Sequence, residues 1–273
     1  MSTVAKSPEL DYPSGDGRPM AETPLHRMNM TDVIAMLEER FAAEDDVYVS
    51  GNMLMYYVPG NRHRHLSPDV FFVRGVPKNK PRKYYLVWEE RPPQCVIELT
   101  SQSTQDEDLI DKRQIYEETI RVEEYFLFDP YGEYLKPVLQ GFRLIEGAYV
   151  TIEPVDGRLP SETLGLHLEA NGCWLRLYDP QQDQWLPTPK EARDEAEAAQ
   201  REAETARREA EAARSKAEAA WRQEQAARHE AEGKVRQVEL DRQAAEAALQ
   251  AQQAETERLR QRLAELQQKL PPE

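Results

Sequence analysis

Between residues 22 and 41, Leu25, Met28, Val33, Ile34, Leu37 and Phe41 recur near helical spacing, which predicts a first helix with Thr31-Asp32 as a local cap or irregularity. From residue 47 the apolar positions come instead in short β-prone runs. Val47-Tyr48-Val49 and the run 53–58 are separated by Ser50-Gly51-Asn52, a turn signal that fits either a hairpin or a bulged strand. Pro68 introduces a strand over 69–73, because a residue that cannot donate to the ladder suits a strand's first position. Residues 84–88 continue the sheet, 95–100 read as a continuous buried strand, and 124–128 form another, ended by Asp129-Pro130. Between the last two, Ser101 to Thr104 offer N-caps, Asp106, Glu107 and Asp108 load the next turn with negative charge, and Leu109, Ile115 and Tyr116 form a helical stripe. One helix between two strands predicts a right-handed parallel crossover. Two hairpins follow, 141–152 turning at Glu146-Gly147 and 164–178 turning at Asn171-Gly172 with a type I′ signature, and together they predict a β-rich appendix.

After Trp185-Leu186-Pro187-Thr188-Pro189 the pattern changes to a four-three seam of alanines at 192, 196, 199, 203, 206, 210, 213, 217 and 220. Near Gly233 the phase slips through 224, 227, 231 and 235, a stutter, and the seam resumes with Val238, Ala245, Leu249, Leu259, Leu263, Leu266 and Leu270. The chain thus divides into a loose leader over 1–21, a globular domain over 22–187 and a helical arm over 190–270. If helical throughout, the arm spans roughly 120 Å. Sustained heptads predict a coiled coil joining a homodimer or higher homo-oligomer; a solvent-exposed single helix is the plainer alternative.

Charge is unevenly shared. The formal net charge is −15, of which residues 190–273, with 16 Lys and Arg against 19 Asp and Glu, carry −3. The remaining −12 opposes non-specific capture of nucleic acid, so any such site must be local. One cluster qualifies: Arg62, Arg64, Arg74, Lys78, Lys80, Arg82 and Lys83, with His63 and His65, where Asp69 is the lone acid. Arg62, Arg64, Lys78 and Lys80 are the candidate contacts to a nucleic-acid backbone, although basic loops are commonly just solvated. Cys95 and Cys173 are too few for a disulfide framework and read as free thiols in a reducing, cytoplasmic setting. No apolar run approaches the ~18 residues of a membrane span.

The candidate chemistry lies in Asp69, beside one strand, and Glu98, inside another. In adjacent strands their carboxylates can converge on one metal, and a hard ion such as Mg2+ takes only one or two protein carboxylates plus waters and phosphate. An acid in the middle of 95–100 is costly to bury unless paired or metal-bound. Lys112, on the following helix, can orient a water or help deprotonate it. Plainer readings stand beside these. Asp69 alone fits a turn cap, Lys112 fits an i,i+4 surface pair with Asp108, Tyr116 fits packing, and His26, four residues after Glu22 at a spacing that could bind metal, fits more plainly a packed or solvated histidine.

The runs Ser67-Pro68-Asp69-Val70-Phe71-Phe72-Val73, Val96-Ile97-Glu98-Leu99-Thr100-Ser101-Gln102-Ser103-Thr104, Asp108 with Lys112 and Tyr116, and Val122-Glu123-Glu124-Tyr125-Phe126-Leu127-Phe128-Asp129-Pro130 resemble the Uma-type restriction-endonuclease-like family. That family is a branch of the PD-(D/E)xK nuclease superfamily. The resemblance covers about residues 20–186. It implies an α/β restriction-endonuclease-like fold with a mixed central sheet, flanking helices and β-hairpins. It also implies Mg2+ or Mn2+ held by Asp69 and Glu98, and DNA phosphodiester hydrolysis. A glutamate from the first helix is implied as a further metal ligand, with Glu22 first and Glu38 or Glu39 as alternates. Thr100 stands where the superfamily places its lysine, so Lys112 must reach back to supply the amine. The competing expectation is a nuclease-fold binding module without catalysis, assembled by its coiled coil.

Overall fold

The computed structural model describes residues 12–15, 23–100 and 107–268. It divides into one unit ending at Ala196 and a second from Glu197 onward. In the first unit, helix α1 (Pro24–Arg40) starts with Thr23 accepting from the His26 amide and Pro24 in the first turn, two favourable N-terminal features. It runs unbroken through Thr31-Asp32, where the Thr31 hydroxyl bonds back to the Arg27 carbonyl at 2.7 Å instead of interrupting the helix.

The central sheet has six strands in the order β1 (Val47–Ser50), β4 (Val70–Arg74), β6 (Cys95–Leu99), β7 (Glu124–Phe128), β8 (Leu139–Ile145) and β9 (Ala148–Thr151). β6 and β7 are parallel, as a helical crossover requires, and the other pairs are antiparallel, so the sheet is mixed. The alternation along β6 sets the two faces. Cys95, Ile97 and Leu99 join a core with Met30, Val33, Leu37 and Phe41 of α1, whereas Val96 faces a second core containing Tyr116, Ile120 and Val122. Glu98 shares Val96's parity and therefore lies toward the crossover segment.

Several expectations about the strands change. Val47–Ser50 and Met55–Tyr56 form neither a hairpin nor one bulged strand: β1 edges the central sheet, while β2 (Met55–Tyr56) joins β3 (His65–Leu66) and β5 (Tyr85–Leu86) in a small separate sheet. Apolar runs this short carry no signal of which partner they choose. The 141–152 hairpin is no appendix, because β8 and β9 complete the central sheet; Glu146 and Gly147 both have positive φ there, as a type I′ turn needs. The next hairpin, β11 (Leu166–Asn171) and β12 (Trp174–Asp179), pairs Asn171 with Trp174, so its turn is Gly172-Cys173. Positive φ falls on Gly172 and not on Cys173 or Asn171, the pattern of type II′ instead of the expected I′. With β10 (Leu159–Ser161) and β13 (Gln184–Trp185) this hairpin forms a four-stranded sheet whose Leu159, Leu166, Leu168, Leu175 and Leu177 pack into the α1 core. Buried Asn29 locks helix to hairpin, donating to Cys173 O at 2.9 Å and accepting from Leu175 N at 2.8 Å.

The crossover consists of two π-helical segments, Glu107–Lys112 and Ile115–Ile120. The expected cap residues, Ser101 to Thr104 and Asp106, lie outside the described residues. Helix α2 (Pro189–Gln268) begins in the first unit and forms the second. Its start is a capping box: Thr188 N donates to Glu191 Oε2 at 2.8 Å while Glu191 N donates to Thr188 Oγ1 at 3.3 Å. Both cysteines are free thiols, and burial with nearby Glu124 pushes the Cys95 thiol well up. Among the described residues no helix is long and apolar enough to cross a membrane.

Candidate active site

β4 and β6 run antiparallel with Val70 opposite Ile97, which carries Asp69 to the position opposite Glu98. The two acids, 29 residues apart in sequence, meet because the ladder ends there. Side chains take over its bonding: Asp69 Oδ2 accepts from Leu99 N at 2.8 Å and Glu98 Oε2 accepts from Asp69 N at 3.3 Å. A tight loop braces this end. Asn52 N donates to Pro68 O at 2.8 Å, and a Cβ on Gly51 would fall 1.9 Å from the Asp69 carbonyl oxygen, so this contact admits glycine alone.

Glu98 is fully buried, which is costly for a carboxylate unless its oxygens are satisfied. Both are. Tyr116 donates its hydroxyl to Oε1 at 2.8 Å, and Lys112 Nζ lies 3.1 Å from Oε2. Lys112 ends the first π-helical segment and Tyr116 lies in the second, four residues on, so one face of the crossover presents both groups to β6. Asp69 is held from α1, where His26 Nε2 stands 3.1 Å from its Oδ1.

The structure therefore brings Asp69, Glu98 and Lys112 together and adds two residues for which the sequence favoured plainer readings. Tyr116 packs as expected, yet its hydroxyl serves Glu98, and His26 is neither solvated nor merely packed. Lys112 reaches Glu98; the expected pair with Asp108 falls on a side chain outside the described residues. Thr100, where the resemblance leads one to expect a lysine, is buried and its hydroxyl accepts from Tyr134 at 2.6 Å.

The other assigned positions fall differently. Glu22 lies outside the described residues. Glu38 and Glu39 are exposed in the last turn of α1, about 18 Å along the helix from His26, and do not join the site. Arg62 and Arg64 are exposed between β2 and β3. Lys78 Nζ donates to Ala42 O at 2.5 Å, and Lys80 pairs with Glu90 at 2.9 Å. Arg82 forks onto Glu90 with its guanidinium 4.0 Å from the Tyr48 ring centroid, and Arg74 pairs with Glu44. Much of the basic cluster is thus engaged in holding the loop after β4. Burial opposes ionisation of Glu90, but the hydrogen bonds from Arg82 and Lys80 outweigh it and hold its carboxyl below the usual range.

Glu124, the residue of β7 beside Cys95, makes an instructive contrast. It too is buried, but it is saturated by Arg143 at 2.8 Å, Ser161 at 2.5 Å, Thr163 at 2.6 Å and the Glu162 amide at 2.9 Å, and among the described residues no lysine pairs with it. Burial of an acid in a strand does not by itself mark a site.

Among curated proteins none matches this chain. Among solved structures, a protein of Anabaena variabilis ATCC 29413 described as "a putative nuclease belonging to DUF820" is 13% identical, with 55% of this chain and 80% of that chain covered and a TM-score of 0.40. The Uma2 family profile, described as "Putative restriction endonuclease", matches residues 4–191, more than half of the chain. Residues 4–191 contain every element that builds the Asp69, Glu98 and Lys112 cluster, and the chain belongs to the Uma2 family.

Proposed function

We propose that the chain is a metal-dependent DNA endonuclease whose divalent ion, Mg2+ or Mn2+, is held by Asp69 and Glu98. The observation that carries this reading is the convergence of Lys112 Nζ, 3.1 Å from Glu98 Oε2, on a carboxylate that also accepts from the backbone of Asp69. The donor set fits a hard cation of this kind. Among the described residues no group of three His, Cys, Asp or Glu side chains closes on one point, as a protein cage would need, whereas two carboxylates suffice for an ion that keeps waters and takes phosphate oxygens. When bound, such an ion supplies a water of lowered pKa and neutralises charge on the phosphodiester.

The chain's own residues do the rest. Tyr116 fixes Glu98 by holding Oε1, which leaves Oε2 to face Lys112 and Asp69. His26 and the Leu99 amide hold the two oxygens of Asp69 in place. Lys112, an ammonium with three donors, orients the attacking water beside Glu98 and steadies the charge that grows on the phosphate oxygens. The test is nicking of supercoiled plasmid in Mg2+ or Mn2+. We expect nicking by the wild type and none by Glu98→Ala, and equal activity in both would remove this assignment.

The tied Thr100 hydroxyl, where the superfamily keeps a lysine, favours a second reading: a nuclease-fold module that binds without cutting. Titration calorimetry with Mn2+ separates the two. Heat of binding that is lost in an Asp69→Asn, Glu98→Gln double variant supports the nuclease, and no heat in the wild type supports the module.

A further inference from the structure

On α2 the seam residues Val235, Val238, Leu249, Leu259 and Leu263 are 55–70% exposed, while exposed Trp221 and Leu240 stand beside the seam. Apolar side chains of this size in helical register call for a partner, and the charges beside them say which. We infer that α2 pairs with α2 of a second copy of this chain, parallel and in register. In a parallel pair the residue just before one seam position faces the partner residue five places on. This sets Glu202 against Arg207, Glu209 against Arg214, Lys234 against Glu239 and Glu255 against Arg260, each pair occurring twice. Asp241 meets Glu246, a like pair, but the seam residue between them is Arg242, which Glu239 and Glu246 already hold along the helix at 3.2 and 3.6 Å.

The outer face behaves differently. There Arg201 pairs with Glu197 and Arg208 with Glu204 along their own helix; of the seam-edge residues, Glu202, Arg207 and Glu209 enter no ion pair within it among the described residues, whereas Arg214, Lys234, Glu239 and Arg260 hold in-helix partners that they share or exchange on pairing. The seam itself also favours parallel pairing. Matched copies put Leu249, Leu259 and Leu263 against their own counterparts, whereas full antiparallel overlap sets them against Ala213, Ala203 and Ala199 and places Glu209 beside Glu255. Matched pairing keeps side chains of equal size opposite one another, leucine on leucine and alanine on alanine, so no leucine faces a gap left by a smaller residue. Parallel pairing attaches both first units at the same end of the assembly, and it stands whether or not the site cuts DNA.

Two single variants of the full chain, Ala203→Cys and Leu259→Cys, test it, with the unsubstituted chain as baseline for Cys95 and Cys173. We expect a sedimentation mass twice the 31.5 kDa of one chain. Mild oxidation should convert most of each variant alone to a covalent dimer, with peptide mapping showing 203 joined to 203 and 259 to 259. A monomeric mass overturns the inference. So does a 203-to-259 disulfide in the mixture with neither variant cross-linking alone, which is the mark of antiparallel pairing.

Discussion

Glu98 and Glu124 occupy the neighbouring central strands, both buried, and their surroundings give them opposite work. Glu124 is closed off by arginine, serine, threonine and an amide, so it ties β7 to β8 and β10. Glu98 has a lysine at one oxygen and a tyrosine at the other, with Asp69 alongside. If Lys112 orients the water, Lys112→Ala should lower plasmid nicking by about 10² or more while Mn2+ binding persists, because orienting groups of this kind contribute about 10²–10⁴-fold. On the proposed reading Tyr116, whose hydroxyl holds Glu98 Oε1 at 2.8 Å, acts through Glu98 as a positioning residue. Tyr116→Phe keeps the ring and its packing, and should weaken Mn2+ affinity about 10–100-fold, the usual cost of losing a partner that orients a ligand. Calorimetry on the folded variant checks this, and unchanged affinity would reduce Tyr116 to packing.

At the scale of elements, the site depends on where β4 begins. The loop after β1 touches the Asp69 backbone so closely that any side chain at 51 collides with it. Gly51→Ala should therefore displace Asp69 and cut nicking about 10²-fold, the effect of a misplacement near 1 Å, and cost about 1–3 kcal/mol in a denaturant melt through overpacking. A fully active Gly51→Ala would show that Asp69 need not be held there. The start of α2 is fixed by the capping box, reinforced by Arg176, which grips Glu191 at 2.9 and 3.0 Å. Ser-Thr-type caps are worth about 1 kcal/mol, so Thr188→Ala should lower stability by that amount without touching activity.

Across the whole molecule, acid should loosen the fold through carboxylates whose native partners favour ionisation. The Thr188 amide, against a smaller effect of burial and with help from Arg176, holds the Glu191 carboxyl below its usual range, and Glu90 is lowered by Arg82 and Lys80 against burial. Groups of depressed pKa add stability above their unfolded value, about 4.3 for Glu, and lose it as pH falls through the folded value. The melting-temperature gap between wild type and Glu90→Gln should thus be widest near neutral pH and shrink below about pH 4.3. A gap that stays constant down to pH 3 would show that Glu90 gains nothing from Arg82 and Lys80.

The sequence by itself determined what local chemistry controls. Helical spacing marked α1, β-branched and aromatic runs marked β4, β6 and β7, Glu146-Gly147 marked a turn, and the cost of burying an acid marked Glu98 as a residue that needs a partner, without saying which. The change of composition after Pro189 marked α2. Tertiary structure decided everything that needed a partner. Which sheet β2 and β5 enter, the placing of β8 and β9 in the central sheet, and the turn at Gly172-Cys173 follow from strand register, which short apolar runs do not encode. His26, Tyr116 and Gly51 joined the site because the first turn of α1, the crossover and the loop after β1 meet at one corner of the sheet. Each is an ordinary residue in its own segment. Lys112 is the divided case: the family resemblance points its amine back toward the site while Asp108, four residues before it, suggests a surface pair, and it is the packing of the crossover over β6 that sets Nζ 3.1 Å from Glu98 Oε2.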